Sequence, residues 1–175
     1  MTVAFLSLGS NIEPEKNILE AVRLLSKHVK IMSSSTVYLT EPLRYRSQPK
    51  YYNCVIKIET EIEPYRLKFD VLRVIEDELG RKRTEDKYAS RTIDIDIILY
   101  GDQHVATERL VIPDPEIEKR AFLAVPLFEI APNLTMPITN RPIEEIAERF
   151  KNHRMVPLKD FTMALRGLIR SLGGL

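Results

Sequence analysis

Apolar positions along the first hundred residues switch between two spacings. Val3 to Leu8 alternates as a strand does and stops at Gly9-Ser10-Asn11. Pro14 sits where proline favours opening a helix, and Ile18, Val22 and Leu25 recur on one helical face to about Lys27. Val29 to Leu39, rich in Val, Ile, Ser, Thr and Tyr, predicts a second strand. A loop from Glu41 to Lys50 follows, and Tyr52 to Thr60 predicts a third strand. Pro64 opens a second helix with Leu67, Val71, Ile75 and Leu79 on one face, and Gly80 is placed to end it. A charged loop from Arg81 to Ser90 leads into the clearest strand, Thr92 to Tyr100, closed by Gly101-Asp102.

The order βαββαβ predicts an α+β fold with a ferredoxin-like core, both helices packing on one face of an antiparallel sheet. Beyond Gly101 the pattern predicts a short hairpin, a proline-punctuated stretch from Pro113 to Pro137, and a small helix from about Pro142 to Phe150. These are the extra C-terminal hairpin and helices of the expected architecture. Residues 1–150 form the expected domain, and 151–175 read as a basic amphipathic extension. There Lys151, Arg154, Lys159, Arg166 and Arg170, against the single acid Asp160, surround Phe161, Leu165, Leu168 and Leu172. That apolar set is expected to pack on the domain, giving a monomer; a dimer through this helix is the alternative.

Composition narrows the field. Among 175 residues, 44% are hydrophobic, enough for a real core. Lys+Arg 26 against Asp+Glu 25 leaves a net charge of +1, so a dedicated duplex-DNA binder is excluded and no nucleic-acid partner is expected. A small anion held by a local basic cluster remains open. The single cysteine, Cys54, forbids an internal disulfide framework and a Cys-rich zinc site, and suits a reducing compartment. No run approaches the roughly eighteen apolar residues of a membrane span. The expectation is a soluble, cytoplasmic protein with no membrane partner.

Candidate chemistry concentrates on Thr92–Tyr100. Alternation points Ile93, Ile95, Ile97 and Leu99 into one layer and turns Asp94 and Asp96 together to the other, roughly 6–7 Å apart. Their repulsion is about 2.5 kcal/mol at an effective dielectric of 20, which a cation removes; hard divalent metals take such oxygen ligands. An isolated Asp-x-Asp equally suits a solvent-facing strand. The preceding loop changes that balance, because residues 81–91 hold five basic side chains, Arg81, Lys82, Arg83, Lys87 and Arg91. Carboxylates that hold Mg²⁺ beside guanidinium forks are what phosphoryl transfer requires. No P-loop or Gly-x-Gly-x-x-Gly fingerprint is present, and His28, His104 and His153 lack ligand spacing. Tyr51, Tyr52, Asn53 and Phe122 could hold a flat heterocycle between rings, with an amide reading its polar edge.

The run Lys87-Tyr88-Ala89-Ser90-Arg91-Thr92-Ile93-Asp94-Ile95-Asp96-Ile97-Ile98 resembles the signature of the 6-hydroxymethyl-7,8-dihydropterin pyrophosphokinases. Leu8-Gly9-Ser10-Asn11, Gln48-Pro49-Lys50-Tyr51-Tyr52-Asn53, Thr107-Glu108-Arg109-Leu110, Arg120-Ala121-Phe122 and Pro126-Leu127-Phe128-Glu129-Ile130-Ala131-Pro132 extend the similarity from residue 4 to about 135. The resemblance implies an enzyme of folate synthesis that moves the β,γ-pyrophosphoryl group of ATP onto the dihydropterin hydroxymethyl group, leaving AMP. It implies that Asp94 and Asp96 hold two Mg²⁺ ions and that Arg81 and Arg91 face the triphosphate. Arg83 and Tyr88 fall on a loop that closes over it, and Glu76, Ile97, Arg109 and Arg120 fall at ATP contacts. Thr40, Leu43, Tyr51, Asn53 and Phe122 fall on the pterin pocket. Asp114-Pro115 stands where the family has a histidine that contacts ATP, Thr84 where some members have lysine, Tyr88 in place of a tryptophan, and Val111 in place of a polar contact.

Two other readings share parts of this pattern. Another Mg²⁺-dependent nucleotidyl or phosphoryl transferase would carry the Asp-x-Asp strand without Asn53 and the two rings. A non-catalytic ferredoxin-like binding module is the other: one for RNA would show exposed aromatics on its central strands, where this chain has acids, and a small-molecule sensor would have no use for two metal-spaced carboxylates.

Overall fold

The computed structural model describes residues 1–175. The strand β1 (Thr2–Ser10) is central, antiparallel to β4 (Tyr51–Thr60) on one side and β5 (Asp94–Tyr100) on the other. The far edge of β4 is shared by two short strands, β2 (Lys30–Ser34) and β3 (Tyr38–Thr40), and β8 (Val156–Pro157) adds to β3. The six-stranded sheet therefore runs β5-β1-β4-β3-β8, with β2 also on β4. The single strand expected over Val29 to Leu39 is interrupted. Ser35 donates its N–H to the Val55 carbonyl at 2.9 Å, and its hydroxyl accepts the Val55 N–H at 3.0 Å. A side chain thus replaces a backbone acceptor, and the ladder breaks there.

Strand alternation creates two apolar layers. Leu6, Leu8, Ile56, Ile58, Ile95 and Ile97 face α1 (Pro14–Leu25) and the second helix. Phe5, Val55, Ile98 and Leu99 face α4 (Ala121–Ile130) and α5 (Ile143–Glu148). The second helix comprises α2 (Pro64–Arg66), a π-helical stretch (Leu67–Leu72) and α3 (Arg73–Glu78). Leu99, expected beside Ile97, lies in the opposite layer. Leu6 pairs with Ile97 but Phe5 pairs with Leu99, so Ile98 is an extra, bulged residue that inverts the alternation.

The proline-punctuated stretch contains a 3-10 turn (Pro115–Glu118) and α4, a helix the pattern did not reveal. α4 is apolar on almost every side and contains Pro126, so it lacks the single stripe that marks a surface helix. A small hairpin, β6 (Val105–Ala106) with β7 (Val111–Ile112), precedes it.

The C-terminal helix α6 (Lys159–Ser171) buries Phe161, Leu165 and Ile169 in the core that holds α1. Phe161 meets the Tyr52 ring edge-on at 5.6 Å. Leu172, expected on this face, is the C-terminal cap of α6 and is 41% exposed; Ile169 takes the buried place. Val37, at the break between β2 and β3, is held from both sides: its N–H donates to Thr162 Oγ1 at 2.9 Å, and its carbonyl accepts the Leu158 N–H at 2.8 Å. Leu165 is fully buried, so Leu165→Ala is expected to cost about 2–5 kcal/mol, read as a lower midpoint in urea unfolding. An unchanged midpoint would show that α6 is not part of the cooperative core.

Candidate active site

The site forms on the sheet face that carries α4, where strand register lines up its polar groups. Asp94 lies opposite Gly9, Gly9 opposite Asn53, and Asn53 opposite Tyr38; Asp96 lies opposite Ser7 in the next row of that face. Directly opposed residues share a face, so the carboxylate pair and the Asn53 amide flank one bare glycine. A methyl group on Gly9 would lie 2.7 Å from Asn53 Oδ1, so this close approach requires glycine. Asn53 donates from Nδ2 to Thr40 Oγ1 at 2.7 Å, which orients the amide.

A cleft of about 290 Å³ opens over this row. Thr40, Leu43, Tyr51, Asn53 and Phe122 line one part of it, and Tyr88, Arg91, Asp94, Asp96 and Arg120 line the rest. Phe122 comes from the first turn of α4. The rim consists of the 41–50 and 81–93 loops, which Asn11 ties together. Its Nδ2 donates to the Pro49 carbonyl and to Ser90 Oγ, both at 3.2 Å, while its Oδ1 accepts the Arg91 N–H at 2.9 Å. Gln48 Nε2 donates to the Tyr88 carbonyl at 2.9 Å.

Charge is organised around the two aspartates. Arg81 donates to Asp94 Oδ1 at 2.5 Å and Arg91 to Asp94 Oδ2 at 3.1 Å, while Lys68 donates to Asp96 Oδ1 at 2.6 Å. Burial works to raise the Asp94 carboxyl, but Arg81 and Arg91 outweigh it and hold Asp94 below the usual carboxylate value. Asp96 is pushed up, first by burial and then by the charge of Asp94, with Lys68 offsetting only part. The Lys68 ammonium is raised: burial opposes its charge, but Asp96 prevails. Beneath the pair, Glu76 is 2% exposed and bonds Arg81 and Arg83, and burial raises its carboxyl as well.

These contacts also close the outer edge of β5. Glu76 accepts the Ile95 N–H at 3.4 Å, Lys68 donates to the Ile95 carbonyl at 2.9 Å, and Arg81 donates to the Ile93 carbonyl at 3.3 Å. An edge strand covered in this way cannot pair with another chain.

Five residues named from the sequence do not line the cleft. Arg81 and Glu76 lie behind Asp94, Arg83 pairs with Asp77 and Glu76, and Ile97 is a core side chain. Arg109 sits on the Phe69 ring, 4.2 Å from its centroid, and donates to the Tyr65 hydroxyl at 2.9 Å. Conversely, Lys68 and Asn11 carry contacts that spacing did not single out. By spacing alone, Asn11 reads only as part of a turn.

Asp114, the acid at the histidine position, lines the cleft and caps the 3-10 turn by accepting the Glu116 N–H at 2.9 Å. Burial raises its carboxyl, Asp96 adds to the rise, and the Glu116 hydrogen bond opposes it. A carboxyl raised on folding costs stability while ionised, and that cost fades as pH falls through the raised value and is gone once pH is below the ordinary value of 3.8. Asp114→Asn keeps the cap and removes the charge. Its melting temperature is expected to exceed that of the parent at neutral pH and to match it in acid. A lower value at neutral pH would contradict this.

A carboxylate pair walled by cations, beside a recess lined by rings and an amide, defines a class: an enzyme that transfers a phosphoryl or pyrophosphoryl group to a flat, polar heterocycle. Residues 5–132 match the family model described as 7,8-dihydro-6-hydroxymethylpterin-pyrophosphokinase (HPPK), and the chain belongs to that family. It is 39% identical over 161 residues to the 2-amino-4-hydroxy-6-hydroxymethyldihydropteridine pyrophosphokinase of Haemophilus influenzae, covering 90% of this chain and 99% of that protein. Identity to the Aquifex aeolicus protein of the same name is 38% over 146 residues, covering 83% and 90%. Among solved structures, a Plasmodium falciparum HPPK-DHPS superposes with a TM-score of 0.69 at 15% identity. That likeness is one of fold, and it covers 86% of this chain and 44% of the other.

Proposed function

We propose that this chain transfers the β,γ-pyrophosphoryl group of ATP to the hydroxymethyl oxygen of 6-hydroxymethyl-7,8-dihydropterin in folate biosynthesis, releasing AMP. The observation that carries this reading is the register that sets Asp94, Gly9 and Asn53 side by side in one cleft. Tyr51 and Phe122 stack the pterin, Asn53 reads its polar edge with Thr40 fixing the amide, and Leu43 closes the apolar side. Arg91, Arg120 and Tyr88 face the polyphosphate, and Arg81 aims Asp94 from behind. Arg83, on the 81–93 loop, joins the nucleotide side once that loop closes; Glu76 acts from behind through Arg81, while Ile97 stays in the core and Arg109 stays on the Phe69 ring. The chain's share of the catalysis is alignment of the alcohol with the β-phosphorus and fixed charge around the phosphates.

The donor set suits Mg²⁺. Two carboxylates share one face beside an open cleft, and no cluster of three His, Cys, Asp or Glu forms an all-protein cage. Mg²⁺ takes one or two carboxylates and completes its shell with water and substrate phosphates. Asp94 and Asp96 would hold two such ions, which neutralise phosphate oxygens and polarise the attacked phosphorus when bound.

The strand order fits the ferredoxin-like split βαβ plan, with the β6–β7 hairpin and α4 to α6 as additions. Residues 1–150 are the pyrophosphokinase domain and 151–175 an extension packed on it. The burial of Phe161, Leu165 and Ile169 within the same chain supports a monomer. No helix is long and apolar enough to cross a membrane. Cys54 is buried, its thiol pushed up to about 12, and this inert free thiol suits a reducing cytoplasm.

The reaction is tested by AMP release from ATP, Mg²⁺ and the dihydropterin with the purified protein. AMP formed only when all three are present is the expected result. ADP in place of AMP, or release independent of the pterin, would overturn the assignment.

A further inference from the structure

Of the four carboxylate oxygens of Asp94 and Asp96, three carry a protein cation. Asp94 Oδ1 takes Arg81 and Asp94 Oδ2 takes Arg91, while Asp96 Oδ1 takes Lys68; only Asp96 Oδ2 has none. Arg81 and Arg91 belong to the basic loop that leads into β5. Lys68 does not. It comes from the π-helical stretch Leu67–Leu72, on the helix that covers the other face of the sheet. A π turn shifts the faces a helix presents on either side of it, and such turns occur frequently at functional sites. Here Leu67, Val71 and Leu72 are buried, while the Lys68 side chain, 16% exposed, reaches over the edge of β5. Its ammonium bonds the Ile95 carbonyl and Asp96 together.

We propose that Lys68 is an internal counter-ion that competes with the divalent cation for Asp96, so that the carboxylate pair binds metal weakly until a polyphosphate arrives with it. The proposal rests on the reading of Asp94 and Asp96 as metal ligands. Lys68 does not line the cleft and is not a catalytic residue. It acts through Asp96 as a positioning residue, fixing one oxygen and leaving Oδ2 for a cation. A unit positive charge within a few ångströms of a divalent ion repels it, and partial burial weakens solvent screening of that repulsion. A polyphosphate reverses the balance. It supplies further oxygen ligands and draws Arg91, which holds Asp94 Oδ2, toward its own charge.

The experiment is calorimetric titration of Mg²⁺ into the nucleotide-free protein, with Mn²⁺ followed by electron paramagnetic resonance as a second probe. Lys68→Met is expected to bind the metal at least tenfold more tightly than the parent, and Lys68→Arg to restore the weak binding. Asp96→Asn is expected to weaken binding in either background. If Lys68→Met binds metal no more tightly than the parent while Asp96→Asn weakens it, the counter-ion role is wrong and Lys68 merely closes the edge of β5. If Asp96→Asn changes nothing, the metal-ligand reading has failed, and this proposal with it. Lys68→Gln, which keeps a donor for the Ile95 carbonyl, replaces the methionine variant if that one does not fold, with the same two outcomes.

Discussion

Asp94→Ala or Asp96→Ala is expected to reduce AMP release from ATP, Mg²⁺ and dihydropterin by roughly a thousandfold or more. Charge stabilisation by a bound metal is worth several kcal/mol, and each ~1.4 kcal/mol is a factor of ten in rate. With one carboxylate gone, a cation loses one of its two protein ligands while Arg81, Arg91 and Lys68 all remain beside the site. The fold is expected to survive, because both side chains border an open cleft and their backbone pairing with β1 is untouched. Circular dichroism alongside the AMP assay checks both halves. Near-parental activity in either variant would remove the carboxylate pair from the mechanism.

Arg81→Met has the second-largest expected effect, and it acts on stability as well as rate. Arg81 bridges Glu76, which is 2% exposed, and Asp94. Removing one partner of a buried ion pair costs about 3–5 kcal/mol, because the other charge stays desolvated without compensation. For a chain of this size that is a fall in melting temperature of roughly 10 °C. Arg83 reaches the second Glu76 oxygen at 3.3 Å and tempers the loss without replacing the link to Asp94. The double variant Glu76→Gln, Arg81→Met separates the two effects. It is expected to regain much of the stability and none of the activity. Recovery of AMP release in the double variant would show that Arg81 only neutralises Glu76.

Much of the fold was legible because its sheet and two of its helices keep their periods. Prolines at 14 and 64 and glycines at 9, 80 and 101 punctuate that pattern as backbone sterics require. α4 was not legible, since a helix apolar on nearly all sides has no stripe and its internal proline argues against it. The break at Ser35 was hidden in a run of strand formers, because a hydroxyl that substitutes for a ladder carbonyl leaves composition unchanged. The bulge at Ile98 was equally silent, since Ile97, Ile98 and Leu99 are all apolar and the inversion of faces depends on pairing with β1.

For the site, the local sequence by itself determined that Asp94 and Asp96 share a face, because side-chain alternation along a strand is a property of the backbone. It also placed five cations just upstream of them. Only the tertiary structure decided what those carboxylates meet. Asn53, Gly9 and Asp94 are neighbours through antiparallel register across three strands, and Lys68 reaches Asp96 from 28 positions away. Hydrogen-bonded pairing and close packing set those distances, and neither leaves a local signal in the order of residues.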